Sequence, residues 1–125
     1  MGFRLPLNFS TTKGAVAAQS SKILKYRVPF KFRIVYLNLY AFVGQAYNLQ
    51  TYIYVGSWGS EDDRNILSNV EGASGFFAGD DTSLVMYEIY GPFDAGSYIT
   101  VKYVNTSSTD ALTGYCFIIV EEVEK

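Results

Sequence analysis

From Lys22 onward the chain is a succession of short runs rich in Val, Ile, Tyr and Phe, separated by Gly, Asn, Asp or Ser. Runs of that length and composition, punctuated by turn-forming residues, are the mark of consecutive strands. They predict about eight: Lys22 to Val28, Phe32 to Val43, Leu49 to Val55, Asn65 to Val70, Gly75 to Ala78, Leu84 to Tyr90, Ser97 to Val104 and Thr113 to Val123. No amphipathic helix of useful length is visible beyond a turn near Glu61 to Leu67. Short strands with closely spaced turns predict an all-β fold, an antiparallel β-sandwich of jelly-roll type. The opening residues are different. Ser10 to Ser21 is a small and polar run with neither strand alternation nor a capped helical face, so residues 1–21 are predicted to be an extended N-terminal arm on a sandwich domain spanning 22–125.

The faces of the predicted strands say more than their positions. Phe32 to Val43 is apolar on both sides: Phe32, Ile34, Tyr36, Tyr40 and Phe42 point one way, and Val35, Leu37, Leu39, Ala41 and Val43 the other. Each sheet of a sandwich turns only one face to the core. The tyrosine-bearing side, with Tyr36 and Tyr40, is therefore a candidate subunit contact, or else a core face overlaid by the N-terminal arm. In Leu49 to Val55 the inward set is Leu49, Ile53 and Val55, which leaves Tyr52 and Tyr54 facing outward as further contact candidates. The last strand is again apolar on both faces before its charged end and is expected in the middle of a sheet.

Composition adds a reason to look for a partner. A chain of 125 residues suits one domain. Yet 49% of it is hydrophobic, 17% aromatic and only 18% charged, against roughly 25% charged in ordinary soluble domains. That is more apolar surface than one small core absorbs. No run approaches the roughly 18 apolar residues of a spanning helix, and the start lacks the apolar stretch of a secretion signal, so the expectation is a soluble chain. The single cysteine, Cys116, lies in an apolar segment and is expected to be a buried thiol.

Charge is unevenly spread. Residues 1–60 carry Arg4, Lys13, Lys22, Lys25, Arg27, Lys31 and Arg33 with no acid, a net of +7, whereas residues 61–125 hold all 12 acids and a net of -9. The halves attract, either as pairs on adjacent strands of one fold or as a basic arm, with Arg4, Lys13, Lys22 and Lys25, reaching an acidic neighbour. Protein is the better target than nucleic acid, because the bases are interleaved with strand-forming apolar residues and not clustered.

Catalysis finds little support. The chain has no histidine, which removes the commonest general base and activator of Ser or Cys nucleophiles. The acidic groups Glu61-Asp62-Asp63 and Asp80-Asp81 read as turn residues, and they lack the ligand order of a calcium loop. No enzyme activity, cofactor or metal is expected. Trp58, in Gly56-Ser57-Trp58-Gly59-Ser60, is a large ring in a turn-like setting. It either folds onto the sandwich or a neighbouring subunit, or stacks on a sugar with exposed tyrosines such as Tyr47, Tyr52 or Tyr54, which makes a carbohydrate-binding module the alternative function.

Gly79-Asp80-Asp81 followed by Leu84 to Tyr90 and then Gly91-Pro92-Phe93-Asp94-Ala95-Gly96-Ser97-Tyr98-Ile99-Thr100-Val101-Lys102-Tyr103 resembles the closing strands of small viral jelly-roll structural proteins, of the capsid decoration, penton or fibre-head type. The resemblance covers roughly residues 22–123 in strand order. It implies a virion component, a homotrimer or homopentamer that docks to neighbouring capsid proteins.

Overall fold

The computed structural model describes residues 3–11, 14–41, 48–68, 75–78, 83–87 and 90–123. Lys13, Tyr47, Asp80 and Asp81 lie outside the described residues. The chain is all-β. Its strands are β1 (Arg4–Asn8), β2 (Ser20–Arg27), β3 (Phe32–Ala41), β4 (Leu49–Gly56), β5 (Arg64–Asn65), β6 (Ser83–Met86), β7 (Tyr90–Phe93), β8 (Tyr98–Asn105) and β9 (Gly114–Glu122). They form two antiparallel sheets, one in the order β1-β9-β3-β6 with β7 also on β3, the other in the order β2-β8-β4-β5. Most connections step from one sheet to the other; only β4 to β5 and β6 to β7 stay within a sheet. Such crossing is consistent with the jelly roll expected from the strand spacing.

The core lies between the sheets. The first contributes Leu7, Phe32, Ile34, Leu37, Leu39, Cys116, Ile118 and Val120, and the second Leu49, Ile53, Val55, Ile99, Val101 and Tyr103, all buried. In β4 the expected inward set holds, joined by buried Thr51. In β3 a strict alternation fails. Ile34 pairs with Val120 and Tyr36 with Ile119, so two residues of β3 span one step of β9. A bulge of this kind inserts one residue and reverses the phase of everything after it. Ile34 before it and Leu37 and Leu39 after it thus reach the same core, and Tyr36 and Tyr40 face outward.

The N-terminal segment departs from expectation. Arg4–Asn8 is a full partner of β9, with Leu7 opposite Ile118. Beyond it, the Phe9 amide donates to the Cys116 carbonyl (2.8 Å), the Thr11 amide to Gly114 (2.9 Å), and Val16 exchanges bonds with Leu112 (2.8 and 2.9 Å). Leu7, Phe9 and Val16 are core residues. The Tyr103 hydroxyl donates to the Phe9 carbonyl at 2.7 Å, and the buried Asn105 amide to the Val16 carbonyl at 2.9 Å. The arm is therefore part of the sandwich, and the division at residue 21 does not separate an arm from a body. Pro6 is compatible with a strand here because β1 is an edge that need not donate outward.

Two other elements are shorter than the pattern predicts. Gly75 to Ala78 holds only a bridge between Phe77 and Thr51, and the strand expected at Asn65 to Val70 ends at Asn65, whose side-chain carbonyl accepts from the Leu67 amide (2.9 Å) to form a turn.

Burial pushes the Tyr103 phenol well above its ordinary value, with Cys116 adding a smaller push, and burial alone raises the Cys116 thiol. The unfolded groups ionise near pH 10 and about 8.5, the folded ones much higher. Their linkage contribution is therefore fully present below those unfolded values and is lost as pH rises beyond them. Thermal melts are expected to show a midpoint that begins to drop above about pH 8.5 and falls more steeply above about pH 10, and Cys116 should stay unreactive to a thiol reagent until the chain unfolds. Rapid labelling of the native chain, or a midpoint flat through pH 11, would contradict this burial.

Candidate interaction face

The two sheets treat their outer faces differently. On the second sheet the cross-strand row Tyr54, Thr100 and Lys25, and the next row Tyr52, Lys102 and Ile23, point away from the core. Residues 57–63 fold over them. The Asp63 carboxylate accepts from the backbone amides of Trp58 (3.0 Å), Gly59 (2.8 Å) and Ser60 (3.4 Å). Gly59, at φ +68°, lies so close to the Tyr98 ring that a Cβ there would stand 3.1 Å from it. Lys25 donates to the Gly59 carbonyl (3.3 Å), and Lys102 pairs with Glu61 at 2.9 Å.

Tyr54 is consequently buried, at 7% exposure. Desolvation raises its phenol pKa, with Glu61 and then Tyr52 adding to the shift. Tyr52 stacks on Tyr54 at 6.1 Å and packs on Phe76 at 5.3 Å. Of the pair predicted to contact another subunit, Tyr54 is corrected, being covered by its own chain, and Tyr52 is half-buried beside it. The sequence pattern gave the right direction for the face but no sign of its cover, which depends on one carboxylate holding three amides.

On the first sheet no described segment lies over the outer face. The register sets Tyr36 beside Ile119, Asn38 beside Phe117, and Tyr40 beside Tyr115, with Val85 of β6 next to Asn38 and Pro6 of β1 next to Ile119. Rings follow one another across the strands: Tyr87 to Tyr36 at 5.3 Å, Tyr36 to Phe117 at 6.2 Å and Tyr40 to Tyr115 at 6.0 Å. Tyr87 is 75% exposed, Val85 41% and Phe117 38%. At one end Glu121 accepts from Arg4 (2.9 Å) and approaches Arg33 (3.5 Å).

Tyr36 and Tyr40, singled out from sequence, thus sit on one surface with Tyr87, Tyr115 and Phe117, which were not. The alternation of Tyr115, Phe117 and Ile119 along β9 was the available signal. The same alternation also fits a strand that is apolar on both faces, so it does not by itself mark an outer surface.

The charge asymmetry is partly consumed within the chain. Arg4, Arg33 and Lys102 of the described ion pairs each meet a glutamate, joining the basic half to the acidic one in two cases and two residues of the later half in the third. Exposed pairs of this kind are worth roughly 1 kcal/mol or less. Lys22 and Lys25, on the edge strand β2, donate instead to the carbonyls of Gly14 (2.7 Å) and Gly59. Arg4, predicted to dock on a neighbour, is engaged with Glu121 of its own chain. Trp58 is 74% exposed and does not fold back onto the sandwich.

Among the described residues no helix is long and apolar enough to cross a membrane. Fold and surface together define a β-sandwich with one outer face closed by its own loop and one aromatic outer face that no described residue covers. No family model matches the sequence and no curated protein resembles it closely enough to match.

Proposed function

We propose that this chain is a self-assembling structural protein whose first sheet packs its outer face against another copy. The observation that carries the reading is the contrast between the faces: the protein spends a seven-residue loop on closing one and, among the described residues, leaves Val85, Tyr87 and Phe117 exposed on the other. Single exposed apolar residues are ordinary, but a contiguous aromatic patch marks an interface. The four strands, of 5, 9, 10 and 4 residues, at about 3.4 Å per residue and about 4.8 Å apart, give a face of roughly 460 Å². That is a little over half of the roughly 800 Å² per partner of a standard protein interface, so the strand face forms the centre of a contact that its flanking loops complete.

In the setting suggested by the viral resemblance, the assembly is a trimer or pentamer in a virus particle, as a decoration, penton or spike component. Neighbouring coat proteins then meet the basic edge β2, where Lys22, Lys25 and Arg27 have no carboxylate within ion-pair distance among the described residues. A second copy is a poor occupant of that edge, since antiparallel self-pairing would bring these cations together. The test is the solution mass of the wild-type chain beside a variant carrying charges on the open face.

A further inference from the structure

We infer that the end of the second sheet, around Trp58, binds an oligosaccharide. A groove of about 810 Å³ opens there, lined by Arg27, Ser57, Phe93, Asp94, Ser97 and Tyr98 among others. Trp58 does not line the groove itself but follows Ser57, which does, and at the rim leaves most of its indole in water. The indole is not on a slack tip. Its own amide and the next two are held by Asp63, and Gly59 is seated on Tyr98.

The other wall is equally fixed. The Gly96 amide donates to Val28 (2.7 Å), the Val28 amide to Ser97 (2.9 Å) and the Ser97 amide to Asp94 (3.1 Å). Gly96, at φ +88°, lies where a Cβ would come within 3.1 Å of the Arg27 guanidinium. The site is thus formed before any ligand arrives, which lowers the entropic cost of binding.

Its chemistry matches a sugar. A pyranose offers a C–H face to an indole and a rim of hydroxyls that both donate and accept. Arg27 uses one nitrogen, Nε, on the Gly96 carbonyl at 3.3 Å, and Asp94 has no side-chain partner among the described residues. The two do not pair with each other, so donor and acceptor both face the groove open. Gly56, Tyr98 and Arg27 form one cross-strand row, which places Arg27 about 10 Å across the sheet from the strand that leads to Trp58. That span suits two or more linked rings. A single cation is too little for a nucleic acid backbone, and the polar walls do not suit an apolar ligand.

Trp58 is the chain's only tryptophan, so tryptophan emission comes from the rim of this groove alone. The full chain is screened on arrays of hexose, N-acetylhexosamine and sialylated oligosaccharides, and binders are titrated. The expected result is a blue shift of emission and protection from iodide on saturation. Trp58→Ala and Asp94→Asn are each expected to weaken binding about tenfold or more while solution mass and melting stay unchanged. Absence of any binder, or a binder indifferent to both substitutions, would overturn the site. So would an indole already shielded from iodide in the ligand-free chain, which would place Trp58 against another copy.

Discussion

Deleting residues 1–21 is expected to abolish cooperative folding and not to release an intact body. The deletion removes β1, strips Leu7, Phe9 and Val16 from the core, leaves the buried Tyr103 hydroxyl without its carbonyl acceptor, and takes one of the two carbonyls, Val16, from the buried Asn105 amide, which keeps Asp110. Truncating one large buried side chain costs about 2–5 kcal/mol, and an orphaned buried polar group about 1–3 kcal/mol. Together these are as large as the whole of the roughly 5–15 kcal/mol that holds a domain of this size folded. Circular dichroism of the truncated chain should show no sharp thermal or urea transition. A transition near that of the full chain would mean that β9 needs no edge partner.

The second large effect concerns assembly. Replacing Tyr87 and Phe117 together by aspartate is expected to disperse the oligomer to monomers while the monomer stays folded. Both side chains point away from the core, whose β9 residues Cys116, Ile118 and Val120 are untouched. Tyr87 lies just past β6 and Phe117 within β9, so the cost to the monomer is mainly that of one aspartate in a strand, on the order of 1 kcal/mol. In a packed interface each unpaired carboxylate would cost several kcal/mol, and association should fall by about 100-fold or more. Tyr52→Ser, on the face closed by residues 57–63, serves as the control and should leave the mass unchanged. Sedimentation and melting read the two consequences separately; an oligomer that survives both aspartates places the interface elsewhere.

The parts of this molecule legible in its sequence are those set by local alternation. β4, β8 and β9 follow from Val, Ile and Tyr at period two, and the outward direction of Tyr36 and Tyr40 was recovered although the bulge at Val35 meant that Leu37 and Leu39 shared the core with Ile34. A bulge leaves no mark in a binary pattern, because it is defined by the partner strand. β1 was hidden for another reason. Leu5, Leu7 and Phe9 alternate, but Pro6 interrupts them and small residues follow, so the segment looks unstructured until β9 supplies its hydrogen-bond partners. The open face was half visible: Tyr36 and Tyr40 were identified from β3, but Tyr115 and Phe117 join them only through the β3 to β9 register, and Tyr87 through the approach of the chain after β6. The loop over Tyr54 depends on Asp63 gathering three amides and Gly59 taking a left-handed conformation, and neither is a matter of hydrophobic pattern.

The most direct test of self-assembly is the solution mass of the purified wild-type chain, by light scattering over a range of concentration and salt. Because the open face is aromatic and not ionic, the oligomer should persist as salt rises, unlike one held by charge. The account predicts a stable multiple of the 14.0 kDa chain mass, three for a decoration or spike position and five for a vertex. A mass of 14.0 kDa at every concentration and salt level would contradict it.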